Sequence, residues 1–184
     1  MRKDIEAYSE EELKNTFIHS ESVMDLAEKI NNAKLLFKHQ TLLGLSQLHD
    51  KKNTDYGNAA TISYMEYGPI SYVVRLRDKL ERFKRISYSE ALVDEDMKEL
   101  LGDIINYCMM FKADNHRVSY SVNVEPVPTY SVSDVPEINY MNMVMGLNLL
   151  TNISIGDKIF NSRINNIVQI CLELLWEVEN DDNK

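Results

Sequence analysis

The sequence predicts an all-α fold, a helical bundle, and three observations carry that prediction. Apolar residues recur at steps of three and four along most of the chain, as they do on the buried face of a helix. The apolar share of 44% is enough to build the core of one domain of 184 residues. The alternation that is typical of strands is confined to one stretch, in which Val118, Tyr120, Val122 and Val124 alternate with polar residues.

The first core helix is long. Ser20 or Ser22 can cap it, Asn31-Asn32 is a candidate break, and it is predicted to stop at His49-Asp50. Its periodic apolar positions are Val23, Leu26, Ile30, Ala33, Phe37, Leu42, Leu45 and Leu48. The following residues, 51–59 (KKNTDYGNA), are predicted to form a turn, because Asn, Asp and Gly tolerate left-handed backbone conformations. A second glycine turn follows at residues 66–70, where Pro69 can start the next helix.

Beyond Lys112 the helical period is lost up to Pro136. An irregular or short β arm is therefore expected around residues 116–136, since prolines 126, 128 and 136 suit an extended segment. Two apolar segments close the chain, a Met-rich one from Ile138 and an amphipathic helix over residues 158–178. The Met-rich stripe is typical of adaptable core and can also be a subunit contact.

Composition excludes several classes of protein. A net charge of −9 argues against a protein that coats duplex nucleic acid, because phosphate binding depends on Lys and Arg. No apolar segment is long enough to span a bilayer, so we expect no membrane partner. Cys108 and Cys171 lie in apolar helical patterns without metal-type neighbours, which favours buried free thiols and a reducing cytoplasm. His39 and His49 have no second metal-type residue at a helical offset and receive no role.

Three stretches carry candidate functional residues, and the first is the predicted turn. Lys52 lies there close to Asp55 and Tyr56. A lysine charge, exposed amides and an aromatic face are what a phosphorylated base needs. The alternative is a polar connection between two helices.

The second stretch is the next helix, where Arg75, Asp78, Lys79 and Arg82 fall on one face at steps of three, four and seven. Two arginines that flank a carboxylate suit an anionic ligand held through a metal ion. The alternative is a surface stripe of ion pairs, each worth only tenths of a kcal/mol.

The third stretch stacks carboxylates on one side of a helix. Glu95, Glu99 and Asp103 are spaced i, i+4, i+8, and Asn106 lies close to the same line. Like charges at this spacing repel each other, which indicates a cation between them. Oxygen ligands of this kind suit Mg²⁺ or Mn²⁺. Ion pairs with Arg or Lys of the preceding helix are the alternative.

Taken together, these motifs resemble a known family. The chain reads K52-N-T-DYG, then EYG at 66–68, then R75-L-x-DK-x-x-R82, then E95-x3-E99-x3-D103-x2-NY107. This order resembles the nucleotide modification associated domain 1 family of phages and bacteria. The resemblance covers residues 33–111, the expected nucleotide- and metal-binding core of a single domain, 1–184. An irregular arm, 112–137, and C-terminal helices, 138–180, complete that division.

That family is similar to the all-α NTP pyrophosphohydrolases, the group of MazG and the dimeric dUTPases. The resemblance implies a MazG-like bundle, a homodimer, and Mg²⁺ or Mn²⁺ held by two acidic pairs. Here those pairs are Asp78 with Glu81 and Glu99 with Asp103, although Asp replaces the first Glu and the second pair is spaced i,i+4. The implied metal ligands are Asp78, Glu81, Glu95, Glu99 and Asp103, of which Asp78, Glu99 and Asp103 are catalytic. The implied substrate-binding residues are Lys52, Asp55, Tyr56, Arg75, Lys79, Arg82 and Asn106.

The expected function is that of a metal-dependent nucleotide-binding protein, a deoxynucleoside or nucleoside triphosphate pyrophosphohydrolase of phage or bacterial nucleotide metabolism or DNA base modification. If phage-encoded, it would work in the host cytoplasm. A non-catalytic module that binds or sequesters a nucleotide, or that partners a base-modifying enzyme, is the alternative. A structural helical protein with ion-paired stripes is the third possibility.

Overall fold

Six α-helices make up nearly all of the described structure, a computed structural model that describes residues 23–88, 96–116, 132–148, 150 and 157–181. Within these ranges there is no strand, so the predicted all-α class is confirmed. The helices are α1 (Val23–Tyr56), α2 (Ala59–Tyr67), α3 (Ile70–Tyr88), α4 (Met97–His116), α5 (Pro136–Asn148) and α6 (Asp157–Asp181). None of them is long and apolar enough to cross a membrane.

Helix α4 lies at the centre of the bundle and packs most extensively against α6 and α3. Its apolar side chains Leu101, Ile104, Ile105, Cys108 and Phe111 are fully buried. Cys171 on α6 is also buried, and both cysteines are free thiols, as the sequence predicts. Burial raises the pKa of each thiol, since the charged thiolate is disfavoured away from water.

Helix α1 ends later than the sequence predicted. Its backbone stays helical past Asp50 up to Tyr56, and the Thr54 hydroxyl donates to the Asp50 carbonyl at 2.9 Å within the helix. The helix ends at Gly57 and Asn58, which both have φ of 58°. This left-handed conformation suits Gly and Asn and ends helices. The predicted turn over residues 51–59 is therefore wrong, because the chain turns only at these two residues.

The N-terminal half of α1 is held against α6 by aromatic and polar contacts. The rings of Phe37 and Trp176 meet edge to face with centroids 5.3 Å apart. Lys38 and Glu173 form an ion pair at this contact, and both side chains are buried. Lys34 donates to the second oxygen of Glu173 at 3.1 Å. No break occurs at Asn31-Asn32, since α1 is continuous through them.

The predicted arm is shorter at both ends in the structure. Helix α4 continues through His116, so the expected loss of helix beyond Lys112 is wrong. Pro136 begins α5 instead of ending an extended segment, which suits the first position of a helix because proline lacks the amide hydrogen. Residues 132–135 are irregular, and the remaining arm, 117–131, lies outside the described residues.

Candidate functional site

A cavity of about 440 Å³ opens where α1, α2, α3 and α4 meet. Its walls combine cationic, amide, aromatic and small apolar side chains. The lining residues are His49, Lys52, Asn53 and Tyr56 of α1, Ala59 and Ala60 of α2, Arg75 of α3, and Asp103, Asn106, Tyr107 and Met110 of α4. This volume lies within the range of about 300–1,000 Å³ that is usual for small-molecule sites.

The last turns of α1 form its side of the cavity. His49, Lys52, Asn53 and Tyr56 are separated by steps of three and four, so they share one face of the helix. This face exists only because the backbone stays helical through Tyr56. The Tyr56 ring is 71% exposed and lies at the mouth.

Helices α3 and α4 supply the opposite side. The Arg75 guanidinium carbon lies 6.0 Å from the centroid of the Tyr107 ring, at the limit of a cation–π contact. Asn106, the neighbour of Tyr107, is 92% buried at the cavity wall and presents an amide, which can both donate and accept hydrogen bonds.

The Asp103 carboxylate of α4 is paired with lysines of two other helices, α1 and α3. The Lys79 ammonium donates to Asp103 Oδ2 at 2.6 Å, and the Lys52 Nζ lies 3.8 Å from Asp103 Oδ1. Lys79 and Asp103 are both largely buried, whereas the Lys52 side chain is about half exposed. An anionic ligand would therefore draw Lys52 away from Asp103 more easily than it would draw Lys79.

A second, smaller cavity of about 140 Å³ adjoins the first through Asp103, which lines both. Its other lining residues are Lys79, Arg82, Asp96, Glu99 and Leu100. Asp96 precedes α4, and its side chain accepts a hydrogen bond from the Lys98 amide at 2.8 Å, as an N-cap residue does. Two cationic and three acidic side chains thus line this cavity.

The structure brings most of the predicted site residues together at these cavities. Lys52, Tyr56, Arg75, Asn106 and Asp103 line the larger one, and Lys79, Arg82, Glu99 and Asp103 line the smaller one. Asp55 and Asp78 are exposed and line neither cavity. Glu95 lies outside the described residues.

Glu81 is engaged elsewhere. It accepts a hydrogen bond from the Tyr140 hydroxyl of α5 at 2.6 Å and pairs with Arg77 at 2.9 Å. The Tyr140 hydrogen bond is the main reason why the pKa of Glu81 lies below its usual value, and the neighbouring cations Arg77 and Lys84 lower it further. This carboxylate therefore ties α3 to α5.

Because the pKa of Glu81 is lowered by folding, its contribution to stability is present above its unfolded pKa, near 4.5, and is lost as pH falls through the lower folded value. We expect Tyr140→Phe to be less stable than the parent at pH 6, with the difference shrinking as the pH is lowered to 3. Thermal unfolding of both proteins across this pH range measures that difference. A difference that stays constant with pH would contradict the role of Glu81.

The predicted metal ligands do not gather into one group in the described part of the chain. No three His, Cys, Asp or Glu side chains there are arranged to hold a metal ion. The oxygens of Asp103 face the ammonium groups of Lys79 and Lys52, and one oxygen of Glu81 faces Tyr140. In this arrangement Asp103 is the partner of lysines and Glu81 of a tyrosine, so both would have to exchange these partners to bind Mg²⁺ or Mn²⁺.

Several lining residues were not identified from the sequence. His49 received no role, although it lines the larger cavity, and Ala59, Ala60, Met110 and Asp96 were not singled out. His49 shares its helix face with Lys52 and Tyr56, so the spacing would have revealed it had residues 51–56 been interpreted as helix. The two alanines carry no chemical signal and are identified only by their place in the fold.

The fold and site define a class: an all-α protein with a cationic and aromatic cavity between its helices. Residues 52–112 match the family model described as nucleotide modification associated domain 1. The matched segment is about a third of the chain, and it contains every lining residue of both cavities except His49. No curated protein and no solved structure matched the chain.

Proposed function

We propose that this protein binds a nucleotide in the larger cavity. The observation that carries the proposal is the union, around about 440 Å³, of two cations, two aromatic rings and two side-chain amides. A mononucleotide unit needs one of each kind of partner: a ring for its base, amides for the polar base edge and cations for its phosphate. A volume of this size suits one such unit.

The base is proposed to lie against the aromatic part of the cavity. Tyr107 of α4 and Tyr56 of α1 line the cavity with aromatic rings, and Met110 adds a polarizable apolar surface. Asn53 and Asn106 bring side-chain amides to the cavity wall, and we propose that these amides bind the edge of the base, although Asn53 Nδ2 also donates to the side chain of Asn58. Rings stack on any base, so the amides are the groups that can discriminate among bases.

The phosphates are proposed to lie toward Arg75 and Lys52. Arginine offers a planar fork that binds phosphate through two hydrogen bonds, and lysine acts as a point charge. Further phosphates of a di- or triphosphate would extend past Asp103 toward Lys79 and Arg82 in the smaller cavity. Asp103 itself repels phosphate, so Lys79 must keep this carboxylate neutralised while the ligand is bound.

The matched family model supports the proposal through its description, which associates it with nucleotide modification, and through its position on the cavity residues. We extend the proposal to deoxynucleoside or nucleoside triphosphates and to phage or bacterial nucleotide metabolism, as the sequence resemblance implies, and to the cytoplasm, as the two unpaired cysteines favour. A MazG-like arrangement of the helices belongs to the same proposal.

Hydrolysis of the nucleotide is a second candidate function. It is favoured by the position of Asp96, Glu99 and Asp103, three carboxylates on one small cavity next to the phosphate-binding cations. The predicted roles of Asp78, Glu99 and Asp103 in a Mg²⁺-dependent pyrophosphohydrolase stay predictions. Simple binding needs only Lys52 to turn from Asp103 to the ligand, while Lys79 stays paired with Asp103, so binding or sequestration is the function that this geometry supports best.

A homodimer is also proposed, from the apolar outer face of α5. Ile138, Met141 and Met145 are each about half exposed there, although the opposite face of the helix is buried. Size-exclusion chromatography with light scattering measures the mass of the protein directly. A monomer at all concentrations would contradict this part of the proposal.

The test uses each dNTP and NTP, with and without Mg²⁺ or Mn²⁺. We expect one nucleotide to raise the melting temperature at a stoichiometry of one per chain, since a ligand that binds only the folded state stabilises it. Anion-exchange chromatography of the same samples separates the two functions. Intact nucleotide supports a binding module, whereas monophosphate plus pyrophosphate, lost in Asp103→Asn, supports the hydrolase. No stabilisation by any nucleotide would contradict both.

A further inference from the structure

Helix α2 forms one wall of the larger cavity and is only partly buried against the bundle. Ala59 and Ala60 at its start line the cavity, yet the helix has no buried residue. It is nine residues long and is flanked by left-handed residues, Asn58 with φ of 58° and Gly68 with φ of 67°. Its apolar contacts come from partly buried side chains: Ala60 and Tyr64 pack against the core, and the Tyr64 ring lies 5.8 Å from that of Tyr72 and 6.2 Å from that of Phe111.

Polar contacts with the end of α4 add to these partly buried apolar contacts. The Thr61 hydroxyl donates to Asp114 Oδ1 at 3.2 Å. One turn further, the Tyr64 hydroxyl donates to Asn115 Oδ1 at 3.3 Å. Each of these bonds is partly buried, and Thr61 directly follows the cavity residue Ala60.

Asp114 is itself held rigidly. Its second oxygen, Oδ2, accepts a hydrogen bond of 2.6 Å from the hydroxyl of Tyr72. Tyr72 is 99% buried, and its ring stacks on Phe111 with centroids 5.1 Å apart. Phe111 meets Phe160 of α6 edge to face at 5.0 Å. One oxygen of Asp114 is therefore anchored to the core, and the other is left to hold α2.

We propose, on the basis of the proposed nucleotide site, that Asp114 is a positioning residue that acts as a latch. Its hydrogen bond with Thr61 holds α2 against the bundle and so closes the wall of the cavity beside Ala59 and Ala60. Asp114 touches no ligand itself. When the Thr61 bond opens, α2 swings at its two left-handed ends, the wall opens, and the bound nucleotide leaves. The latch sets how long the ligand stays.

The test compares Thr61→Val with Ser63→Ala. Valine has the shape of threonine without the hydroxyl, so it removes the bond to Asp114 and keeps the size of the side chain. Ser63 is on the same helix, but its hydroxyl bonds the Ala59 carbonyl of α2 itself, which makes Ser63→Ala the matched control. Hydrogen exchange of the α2 amides in the protein without ligand reports opening. Stopped-flow dissociation of a fluorescent analogue of the bound nucleotide reports retention.

We expect Thr61→Val to speed both amide exchange in α2 and nucleotide dissociation by about threefold to tenfold, the effect of one lost hydrogen bond. Ser63→Ala should leave both rates as in the parent. Asp114→Ala should match or exceed Thr61→Val, and Asp114→Asn should recover most of the parental behaviour, because an amide can still bond both hydroxyls. Exchange elsewhere in the bundle should not change in Thr61→Val.

Unchanged amide exchange of α2 in Thr61→Val overturns the latch. Faster exchange with unchanged nucleotide dissociation overturns its role in retaining the ligand. If the parent binds no nucleotide at all, the proposed function fails, and the exchange measurement on the free protein still decides whether Asp114 holds α2.

Discussion

Replacing Glu173 with leucine is expected to lower the free energy of unfolding by about 3–5 kcal/mol. The Glu173 carboxylate is 98% buried and accepts from Lys38, which is itself 94% buried, and from Lys34. Among the described residues, leucine would leave the buried Lys38 ammonium with the side-chain oxygen of Gln169 as its remaining hydrogen-bond partner, at 3.3 Å. An uncompensated buried charge is among the most costly defects that one substitution can create. Urea unfolding measures the change.

The control is the double variant Lys38→Met with Glu173→Leu. Replacing both members of a buried ion pair by apolar residues of similar size is often neutral or stabilising, so the double variant should recover most of the loss. An unchanged urea midpoint for Glu173→Leu, or a double variant no more stable than Glu173→Leu, would contradict the buried pair between α1 and α6.

Replacing Arg75 with glutamate is expected to weaken nucleotide binding about 100-fold or more. The change removes a charge-assisted hydrogen bond to phosphate, worth about 1.5–3 kcal/mol, and adds a carboxylate that repels the ligand. Arg75 is exposed on α3, so the fold should survive the substitution. Isothermal titration with the nucleotide that stabilises the parent gives the affinity.

Arg85→Glu is the matched control for this prediction. Arg85 is exposed on the same helix, one turn beyond Arg82, and it lines neither cavity. Both variants change the net charge equally, so only a local role separates them. Equal losses of affinity in the two variants would show that the cavity is not the binding site.

The all-α class and the grouping of Lys79, Glu99 and Asp103 could be predicted from the sequence, because both depend on local spacing. Residues at steps of three and four share a helix face whatever lies around them. The two stripes meet because α3 and α4 pack side by side, and Lys79 of α3 pairs with Asp103 of α4. Asp103 is ion-paired with Lys79, which is the alternative that the sequence left open for these carboxylates.

The end of α1 could not be predicted from its residues. Asn53, Thr54 and Asp55 are weak helix formers, and the sequence therefore favoured a turn. Packing can override such weak preferences, and Lys52 and Tyr56 join the cavity wall only in the helical state. The contact between Glu81 and Tyr140 could not be predicted either. It depends on how α5 packs, and Tyr140 lies 59 residues further along the chain.

The buried network of Lys38 and Glu173 illustrates the same limit over a larger distance. These residues are 135 positions apart, and each lies in an ordinary amphipathic pattern. Nothing local distinguishes them from the solvated charges on the same helices. Only the packing of α1 on α6 turns them into a buried pair.

The most direct test of a nucleotide in the larger cavity is NMR of the protein with ¹³C-labelled methionine methyl groups. Met110 lines the cavity, whereas Met141 and Met145 lie on the exposed face of α5. We expect titration with the stabilising nucleotide to shift the Met110 methyl signal saturably and to leave the other two in place. An unmoved Met110 signal at saturation, or shifts confined to Met141 and Met145, would contradict the proposed site.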